Sequence, residues 1–586
     1  MSKEELIHLW MANGFISSRE NLEVEDVGSM IWNELCQKSF FQDIEMNDYS
    51  RDMSFKLHDL VHDLAQSLMG HECMYLENAN LNSLSKNTHD ISFGSEDSLS
   101  FNESAFKKVE SLRTLFQLNN YVEIKHDYFS KNRSLRVLCT SQVPLLGGLL
   151  HLRYLELRYL DIKTLPDSIN NLQKLEILKI KGCRELSCLP KRLACLQNLR
   201  HLVIKDCKSL SRVFPYVGKL SYLRTLSKYI VNSEEGNSLT ELRDLNLGGK
   251  LSIKGLNDVG MLSEAQAANL MGKKDLHKLC LSWIIRSDGF TKTPTISAEQ
   301  LFEVLQPHSN LKRLKIGYYD GLLLPSWISI LSNLVALYLR DCVRCVRLPS
   351  FAKLQSLKKL KLDNMVNLKY LDDESHDGME VGIFPSLEVL VLKKLPNLEG
   401  LLKVEIGEVF PCLSNLTINL CPKLGLPFLP SLKDLYVEGC NNELLRSIST
   451  LCGLTTLTLN RGDGIIYFPE GMFRNLTFLQ FLIIFDFPKL KELPNEPFNL
   501  ALEHMNISFC NELESLPEQI WECLQSLRTM SIGYCKGLRC LPKGIQHLAS
   551  LEVLTIDGCP TLEERCKEGT GEDWDKIAHI PKLNFQ

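Results

Sequence analysis

The stretch LRYLELRYLDIKTLPDSINNLQKLEILKIKGCRELSCLPKRLACLQNLRHLVIKDC, residues 152–207, repeats one pattern three times. Each copy reads Leu-x-x-Leu-x-Leu or a close variant, and the copies begin at Leu152, Leu175 and Leu199, which are 23 and 24 residues apart. The pattern recurs from about residue 112 to residue 556, mostly at intervals of about 23–25 residues. Further copies include LRVL at 135–138, LKRLKI at 311–316, LVALYL at 334–339, LKKLKL at 357–362, LKDLYV at 432–437 and LEVLTI at 551–556. Self-similarity at this period is typical of a solenoid.

The repeat has a direct physical explanation. The leucines of each short strand point inward and the x positions face the concave surface, so one unit must stack on its neighbours to cover its apolar face. A cysteine stands at a fixed offset after the strand in eight copies: Cys183, Cys207, Cys342, Cys421, Cys440, Cys510, Cys535 and Cys559. A Leu-Pro pair follows in many copies and disfavours a regular helix there. We therefore predict an α/β leucine-rich-repeat solenoid, a fold that usually binds other molecules.

Composition narrows the functional classes. The 586 residues are 44% hydrophobic and 23% charged, with a net charge of -5, which argues against nucleic-acid binding as the main role. No apolar run reaches the roughly 18 residues of a membrane span, and the N-terminus does not have the pattern of a signal peptide. The 20 cysteines fit small buried thiols better than a disulfide framework. We expect a cytoplasmic protein, with the periphery of the plasma membrane and the nucleus as alternatives and a secreted ectodomain disfavoured.

The first 85 residues lack the repeat. Helical spacing of apolar residues over 4–14, 25–40 and 58–68, with strands at 40–44 and 53–57, predicts a winged-helix subdomain at 1–85. The repeats are assigned to 86–559, with an irregular insertion carrying a helix at about 231–300. Residues 560–586 are expected to cap the last apolar face.

Two N-terminal segments resemble motifs of a known family. EELIHLWMANGFI at 4–16 and FKLHDLVHDLAQSL at 55–68 are similar to segments of plant intracellular immune receptors of the nucleotide-binding leucine-rich-repeat type, coiled-coil class. The segments LSIKGL at 251–256, KKDLHKLCLSW at 273–283 and GEDWDKIAHIP at 571–581 resemble the same family. A phosphate-binding loop of the form G-x-x-x-x-G-K-[ST] is absent from the sequence. The chain therefore resembles the winged-helix and repeat portion of such a receptor.

The resemblance implies a nucleotide role for one motif. Leu57-His58-Asp59 corresponds to the family's Met-His-Asp motif, whose His senses bound ADP, so His58 and Asp59 are the candidate nucleotide residues. A half-exposed pair on an amphipathic helix is the alternative interpretation. We expect no cofactor in this chain itself, and ADP or ATP in the full-length family.

The concave x positions are the candidate partner-binding residues. By resemblance, the group around Arg153, Tyr154 and Glu156 contacts the nucleotide-binding domain of the receptor. A basic stripe fits an acidic partner or that same domain, or is a hydrated charged face; it comprises Lys312, Arg313, Lys315, Tyr338, Lys358, Lys359 and Lys361. Tyr436 and Phe481 are unusually apolar for exposed positions, so they form a contact patch or lie under a neighbouring loop.

No catalytic constellation stands out, and Cys342 and Cys345 lack a second pair for a metal site. The resemblance implies a plant immune receptor fragment whose repeats recognise a pathogen effector or a modified host protein and restrain a nucleotide switch. The alternatives are a cytosolic repeat adaptor that binds substrates of a ubiquitin ligase, and a truncated decoy or regulator. We predict that the chain is not an enzyme.

Overall fold

The computed structural model describes all residues except 20–21, 47–52, 77–83, 94–108, 110, 118–132, 144–145, 284–295, 352, 373–383, 404–409, 496–500 and 586, and the side chains of 45, 46, 372 and 522 are also left out. The chain divides into two compact units, Met1–Ile296 and Ser297–Gln586.

The first unit opens with three helices and a two-stranded wing. The helices are α1 (Lys3–Asn13), α2 (Val24–Gln37) and α3 (Asp59–Met69), and the antiparallel strands are β1 (Phe41–Met46) and β2 (Met53–Leu57). Ser2 and Glu5 close a capping box on α1. Trp32, Phe41 and Phe55 form the small aromatic core, with ring centroids 4.5–4.6 Å apart. The predicted winged helix is confirmed.

The repeats of the first unit build parallel sheets. One sheet contains eight consecutive strands, β3 (Cys73–Leu76), β4 (Asp90–Phe93), β5 (Thr114–Gln117), β6 (Val137–Thr140), β7 (Tyr154–Arg158), β8 (Ile177–Lys181), β9 (His201–Lys205) and β10 (Thr225–Leu226). Three more parallel strands follow, β11 (Tyr229–Ile230), β12 (Gly249–Lys254) and β13 (Leu276–Ser282), with helix α4 (Leu262–Ala267) between the last two. The parallel sheet therefore begins at β3, before the predicted boundary at residue 85. Within the predicted insertion at 231–300, residues 284–295 lie outside the described part.

The second unit continues the same construction. Its parallel sheet contains β14 (Arg313–Gly317), β15 (Ala336–Arg340), β16 (Lys359–Asp363), β18 (Val389–Lys393), β20 (Asn415–Asn419), β21 (Asp434–Glu438), β22 (Thr456–Asn460), β23 (Phe481–Phe485), β24 (His504–Ser508), β25 (Thr529–Gly533), β26 (Val553–Asp557) and β27 (Lys582–Phe585). A separate pair is formed by β17 (Tyr370–Asp372) and β19 (Gly400–Leu402). The helices are α5 (Ala298–Val304), α6 (Asn442–Ile448), α7 (Pro560–Arg565) and α8 (Trp574–Ile577). The expected cap at 560–586 thus holds two short helices and the edge strand β27.

Short 3-10 helices lie in the connections between strands. They span Leu146–Gly148, Asp167–Asn171, Lys191–Cys195, Val217–Lys219, Leu239–Leu242, Leu256–Asp258, Ser326–Ile330, Trp521–Cys523 and Lys543–His547. Several of them begin directly after the proline of a Leu-Pro pair, for example Pro166, Pro190 and Pro542. Proline pre-sets the backbone there without offering an N–H to a longer helix.

Register explains why the leucines form the core. Equivalent leucines face each other across successive strands, as Leu337, Leu360 and Leu390 do, and all three are fully buried. Seven of the eight predicted slot cysteines are buried and Cys440 is half-buried. The residue directly after the strand has a left-handed backbone in repeat after repeat, for example φ 57° at Tyr318 and φ 55° at Asp341. The chain needs this conformation to turn sharply out of the sheet.

Candidate functional site

Helix α1 packs against the concave face of the first unit's repeats. Ile7, Met11 and Ala12 share a buried cluster with Val137 of β6, Tyr154 of β7 and Ile177 of β8. These three repeat residues occupy the same register on neighbouring strands. An apolar strip at the end of three strands therefore receives the winged-helix domain.

A buried carboxylate joins three concave side chains to α1. Glu156 accepts hydrogen bonds from the hydroxyl of Tyr154 at 2.5 Å and from Nε of Arg158 at 2.7 Å, and its Oε1 lies 2.9 Å from Nζ of Lys181. The same Nζ lies 3.2 Å from Oε1 of Glu5 in α1. Burial would raise the pKa of Glu156, but the charge of Lys181 and the Tyr154 hydrogen bond lower it to about 2. Glu156 is therefore a charged anchor for the cations of this face.

A second charged group joins α2 to β9 and β10, and we call it the Arg200 network. Arg200 donates to both oxygens of Glu25 at 2.8 Å and to Glu23 at 2.6 Å. Nε2 of His201 lies 3.0 Å from Glu25 Oε1, and Arg224 donates to Glu23. Burial opposes ionisation of Glu25, but hydrogen bonds from His201 and Arg200 hold its pKa well below the ordinary value. Forked Arg–carboxylate contacts of this kind fix orientation as well as adding energy.

His8 connects the apolar and charged parts of this contact. Its ring lies 4.2 Å from the ring of His201 and is fully buried, and its Nδ1 has no hydrogen-bond partner. Burial lowers the pKa of His8 well below its ordinary value, and the charges of His201, Lys179 and Lys181 lower it further. His8 is therefore neutral at this interface, and a proton there would be placed near these cations, with Glu4 Oε1 3.9 Å from its Nε2.

Two predicted partner-binding residues turn out to be covered by the chain itself. Tyr154 and Glu156 are 2% and 1% exposed beneath α1, so they are not free for a second protein in this arrangement. Arg153 is half-buried, and its Nη1 lies 3.4 Å from Glu176 Oε1. The sequence reasoning overlooked Glu23, Glu25, Arg200, His201 and Arg224, because charged residues so far apart in sequence carry no local pairing signal.

His58 and Asp59 lie at the start of α3. His58 is the N-cap residue, and its Nδ1 accepts a hydrogen bond from the backbone N–H of Leu60 at 3.3 Å. Asp59 accepts from Gln42 Nε2 at 3.0 Å. Leu60, Leu64 and Leu68 of the same helix are exposed. The ADP-sensing role of His58 and Asp59 stays a prediction.

The basic stripe of the second unit is only partly assembled. Lys315, Tyr338 and Lys361 share one row across β14, β15 and β16, and Arg313 and Lys359 lie on a parallel row. Lys312 and Lys358 precede their strands; Lys312 donates to Asn333, and Lys358 pairs with Glu388 at 2.7 Å. Burial, followed by the charge of Lys393, lowers the pKa of Lys361. The row of Lys315, Tyr338 and Lys361 is therefore the continuous part of the stripe.

Tyr436 and Phe481 lie on the concave face further along the sheet. The hydroxyl of Tyr436 accepts a hydrogen bond from Asn460 at 3.0 Å, and this side chain is half-buried. Phe481 is exposed and stacks on His504, with ring centroids 4.5 Å apart. The structure adds three exposed aromatic residues that sequence reasoning missed, Phe485, Phe509 and Tyr534. Phe509 and Tyr534 lie directly after their strands, outside the Leu-x-x-Leu-x-Leu pattern. An inspection of the x positions therefore could not identify them.

In the part of the chain that the structure describes, His, Cys, Asp and Glu side chains form no group of three or more that could hold a metal ion. None of its helices combines the length and the apolar character needed to cross a membrane. All 20 cysteines are free thiols.

Comparisons with known proteins agree on one family. Residues 1–65 match the family described as "Disease resistance protein Winged helix domain", residues 149–277 match "Plant disease resistance protein RPS2-like, leucine-rich repeats", and residues 239–365 match "R13L1/DRL21 LRRs". The disease resistance proteins RGA1 and RGA2 of Solanum bulbocastanum are 41% and 37% identical over the whole chain, which covers 57% of each. The RPP13-like protein 1 of Arabidopsis thaliana is 30% identical over 92% of the chain and 54% of its own length. The chain thus spans slightly more than half the length of these relatives.

Proposed function

This chain belongs to the plant disease resistance proteins of the nucleotide-binding leucine-rich-repeat family, and we propose that it recognises a pathogen effector or a modified host protein and restrains a nucleotide switch. Its concave surface binds the partner, and its winged helix carries the response. The chain acts by binding a protein partner rather than by catalysis, and it does so in the cytoplasm. The winged-helix match favours this role over that of a ubiquitin-ligase adaptor.

The observation that carries the proposal is the contact between the winged helix and the repeats. Arg200 and Arg224 hold Glu23 and Glu25 at the entrance to α2, while α1 fills the apolar strip on β6, β7 and β8. The repeat region to which we assign partner recognition therefore also contacts the winged helix. A structural change in the repeats can therefore alter the position of the winged helix through these side chains.

The mechanism we propose is a shift between two populations. In the restrained state the contacts of the Arg200 network are intact. The contacts of Glu156 with Tyr154, Arg158 and Lys181 are intact as well. A partner that binds better when the winged helix is displaced shifts the equilibrium by its difference in affinity for the two states. As the family resemblance implies, ADP or ATP is held mainly by the nucleotide-binding domain of a full receptor, and His58 and Asp59 respond to which of the two is bound.

A chimera tests the restraint. The portion of RGA1 that aligns with this chain is replaced by the chain, and the product is expressed in leaves. We expect the wild-type chimera to be silent, Arg200→Glu to cause cell death without a pathogen, and the double variant Arg200→Glu with Glu25→Arg to be silent again. Arg212→Glu is the matched control, because Arg212 forms an exposed pair with Glu234 away from the winged helix. Equal silence of wild type and Arg200→Glu, at equal protein levels, would contradict the proposal.

A further inference from the structure

Three exposed aromatic rings form a continuous row on neighbouring repeats of the second unit. Phe485 ends β23, and its ring centroid lies 4.9 Å from that of Phe509, which follows β24. Phe509 stacks on Tyr534, which follows β25, at 4.7 Å and an interplanar angle of 10°. The three side chains are 38%, 39% and 43% exposed. Large apolar side chains grouped at the surface in this way mark a binding surface.

The backbone places two of these rings where the strand pattern does not. Phe509 and Tyr534 have φ of 59° and 52°, a left-handed conformation that bulky residues rarely adopt. The next repeat has Gly558 at the same position, and a Cβ there would lie 2.7 Å from Tyr534 Cδ1. The ring of Tyr534 therefore lies over a glycine, and a side chain at this position would displace it.

Two carboxylates flank the row. Asp486 occupies the same left-handed position one repeat before Phe509, and Asp557 lies opposite Gly533 in the sheet. Arg461, one repeat earlier, pairs with Asp463 at 3.4 Å. Among the described residues, no cation lies within ion-pair distance of Asp486 or Asp557. The surface thus combines exposed aromatic rings with two half-buried acidic groups that have no counter-ion among the described residues.

We propose that Phe485, Phe509 and Tyr534, flanked by Asp486 and Asp557, bind a segment of a protein partner that carries arginine or lysine side chains. A cation over an aromatic face is attracted by the ring quadrupole, and Phe485 offers such a face at the end of the row because its ring is tilted 55° from Phe509 rather than stacked on it. The flanking carboxylates add charge complementarity. Arginine fits better than lysine because its planar guanidinium stacks on rings and bonds carboxylates in a fork. The row crosses three adjacent strands about 4.8 Å apart, which suits an extended segment with more than one cation.

This inference names the chemistry of the recognition surface and rests on the proposed function for its biological role. The binding test is independent of plant immunity, because it uses the full chain and synthetic peptides. Fluorescence anisotropy is measured with fluorescein-labelled (Arg-Gly)4, (Lys-Gly)4 and (Glu-Gly)4. We expect the arginine peptide to bind best, the glutamate peptide not to bind, and affinity to fall as salt is raised.

Matched variants separate this surface from general attraction to an acidic protein. We expect Phe509→Ala, Tyr534→Ala and the double variant Asp486→Asn with Asp557→Asn each to weaken binding of the arginine peptide at least about tenfold. Tyr467→Ala and Glu470→Gln remove an exposed ring and an exposed charge elsewhere on the same unit and should leave affinity unchanged. Circular dichroism melts should match the wild type, because the two rings are exposed and the two half-buried carboxylates form no ion pair among the described residues.

Equal binding by all variants, or equal loss in the two controls, would overturn the inference. So would wild-type affinity for the glutamate peptide that matches its affinity for the arginine peptide. A silent Arg200→Glu chimera together with selective arginine-peptide binding would instead contradict the proposed restraint and leave this surface standing.

Discussion

Nε2 of His201 lies 3.0 Å from Oε1 of Glu25, and this contact joins strand β9 of the repeats to helix α2 of the winged-helix domain. The two residues are 176 positions apart in the sequence. Arg200, the neighbour of His201, holds both oxygens of the same carboxylate. One carboxylate of the winged helix is thereby held by two adjacent residues, Arg200 directly before β9 and His201 at its start.

Removing the arginine should loosen the winged helix without unfolding the repeats. We expect Arg200→Ala to destabilise the contact by about 2 kcal/mol, because it leaves Glu25 and Glu23 without their main donor. Arg200→Lys should destabilise the contact less than Arg200→Ala does, because lysine keeps the positive charge but lacks the two parallel N–H donors of the guanidinium. Hydrogen exchange of α1 and α2 measures the effect, and Arg212→Ala is the exposed control. Unchanged exchange in α2 of Arg200→Ala would show that the network does not hold the helix.

Acid should weaken the same contact. The folded-state pKa of His8 lies below its ordinary value, so the unfolded chain takes up the proton first as pH falls through about 6.5. Stability is therefore complete above that pH and declines below it, by about 1.4 kcal/mol for each pH unit between the ordinary and the folded-state pKa. Thermal melts at pH 7.5 and 5.5 should differ more for the wild type than for His8→Leu. An identical pH dependence in both proteins would count against a buried neutral histidine.

The lowered pKa of Glu156 predicts a second, more acidic transition. A carboxylate whose pKa falls to about 2 in the folded state contributes stability that is present above about 4.3 and is lost as pH drops toward 2. Glu156→Gln should remove this dependence and leave Lys181 without its closest buried anion. Melting temperatures between pH 5 and 3 test this, with Glu185→Gln as an exposed control. A steeper loss in Glu156→Gln than in the wild type would contradict the assignment.

Close packing of α1 on α2 depends on one glycine. A Cβ at Gly28 would lie 2.6 Å from Cγ2 of Ile7, so Gly28→Ala should overpack the winged helix and cost about 1–3 kcal/mol. Gly147→Ala is the matched control, because nothing lies within 4 Å of a Cβ there. The measurement is the thermal midpoint of each variant. A midpoint for Gly28→Ala equal to that of Gly147→Ala would mean that Ile7 moves aside freely.

A charge in the cysteine slot should unfold the surrounding repeats. Cys510 is fully buried and its Sγ donates to the backbone oxygen of Ser508 at 3.6 Å. Cys510→Arg buries an unpaired charge, so we expect loss of the cooperative melt, whereas Cys412→Arg at an exposed position should melt normally. Near-normal melting of Cys510→Arg would show that the slot is not packed as the structure places it.

The leucines and slot cysteines are the residues whose burial the local sequence pattern predicts. Leu337 and Leu360 could be assigned to the core from sequence alone, because alternation along a strand decides which face a side chain takes. The winged helix could be assigned for a similar reason, since its apolar spacing is that of helices packed on one side. Which of the x positions are covered by another part of the chain could not be assigned in this way: Tyr154 and Glu156 lie under α1.

What the sequence determined by itself was the repeat, its core and the family, because each rests on residues within one period or one short motif. Tertiary structure alone decided which charges meet. Glu25 contacts Arg200 only because stacking of the repeats brings β9 opposite α2. Phe485 contacts Phe509 only because a residue with a left-handed backbone turns the chain out of each strand. Pairing between residues distant in sequence depends on the geometry of the whole unit. A pattern that repeats every 23–25 residues identifies the residues of the core, but it does not identify what contacts the surface of the sheet.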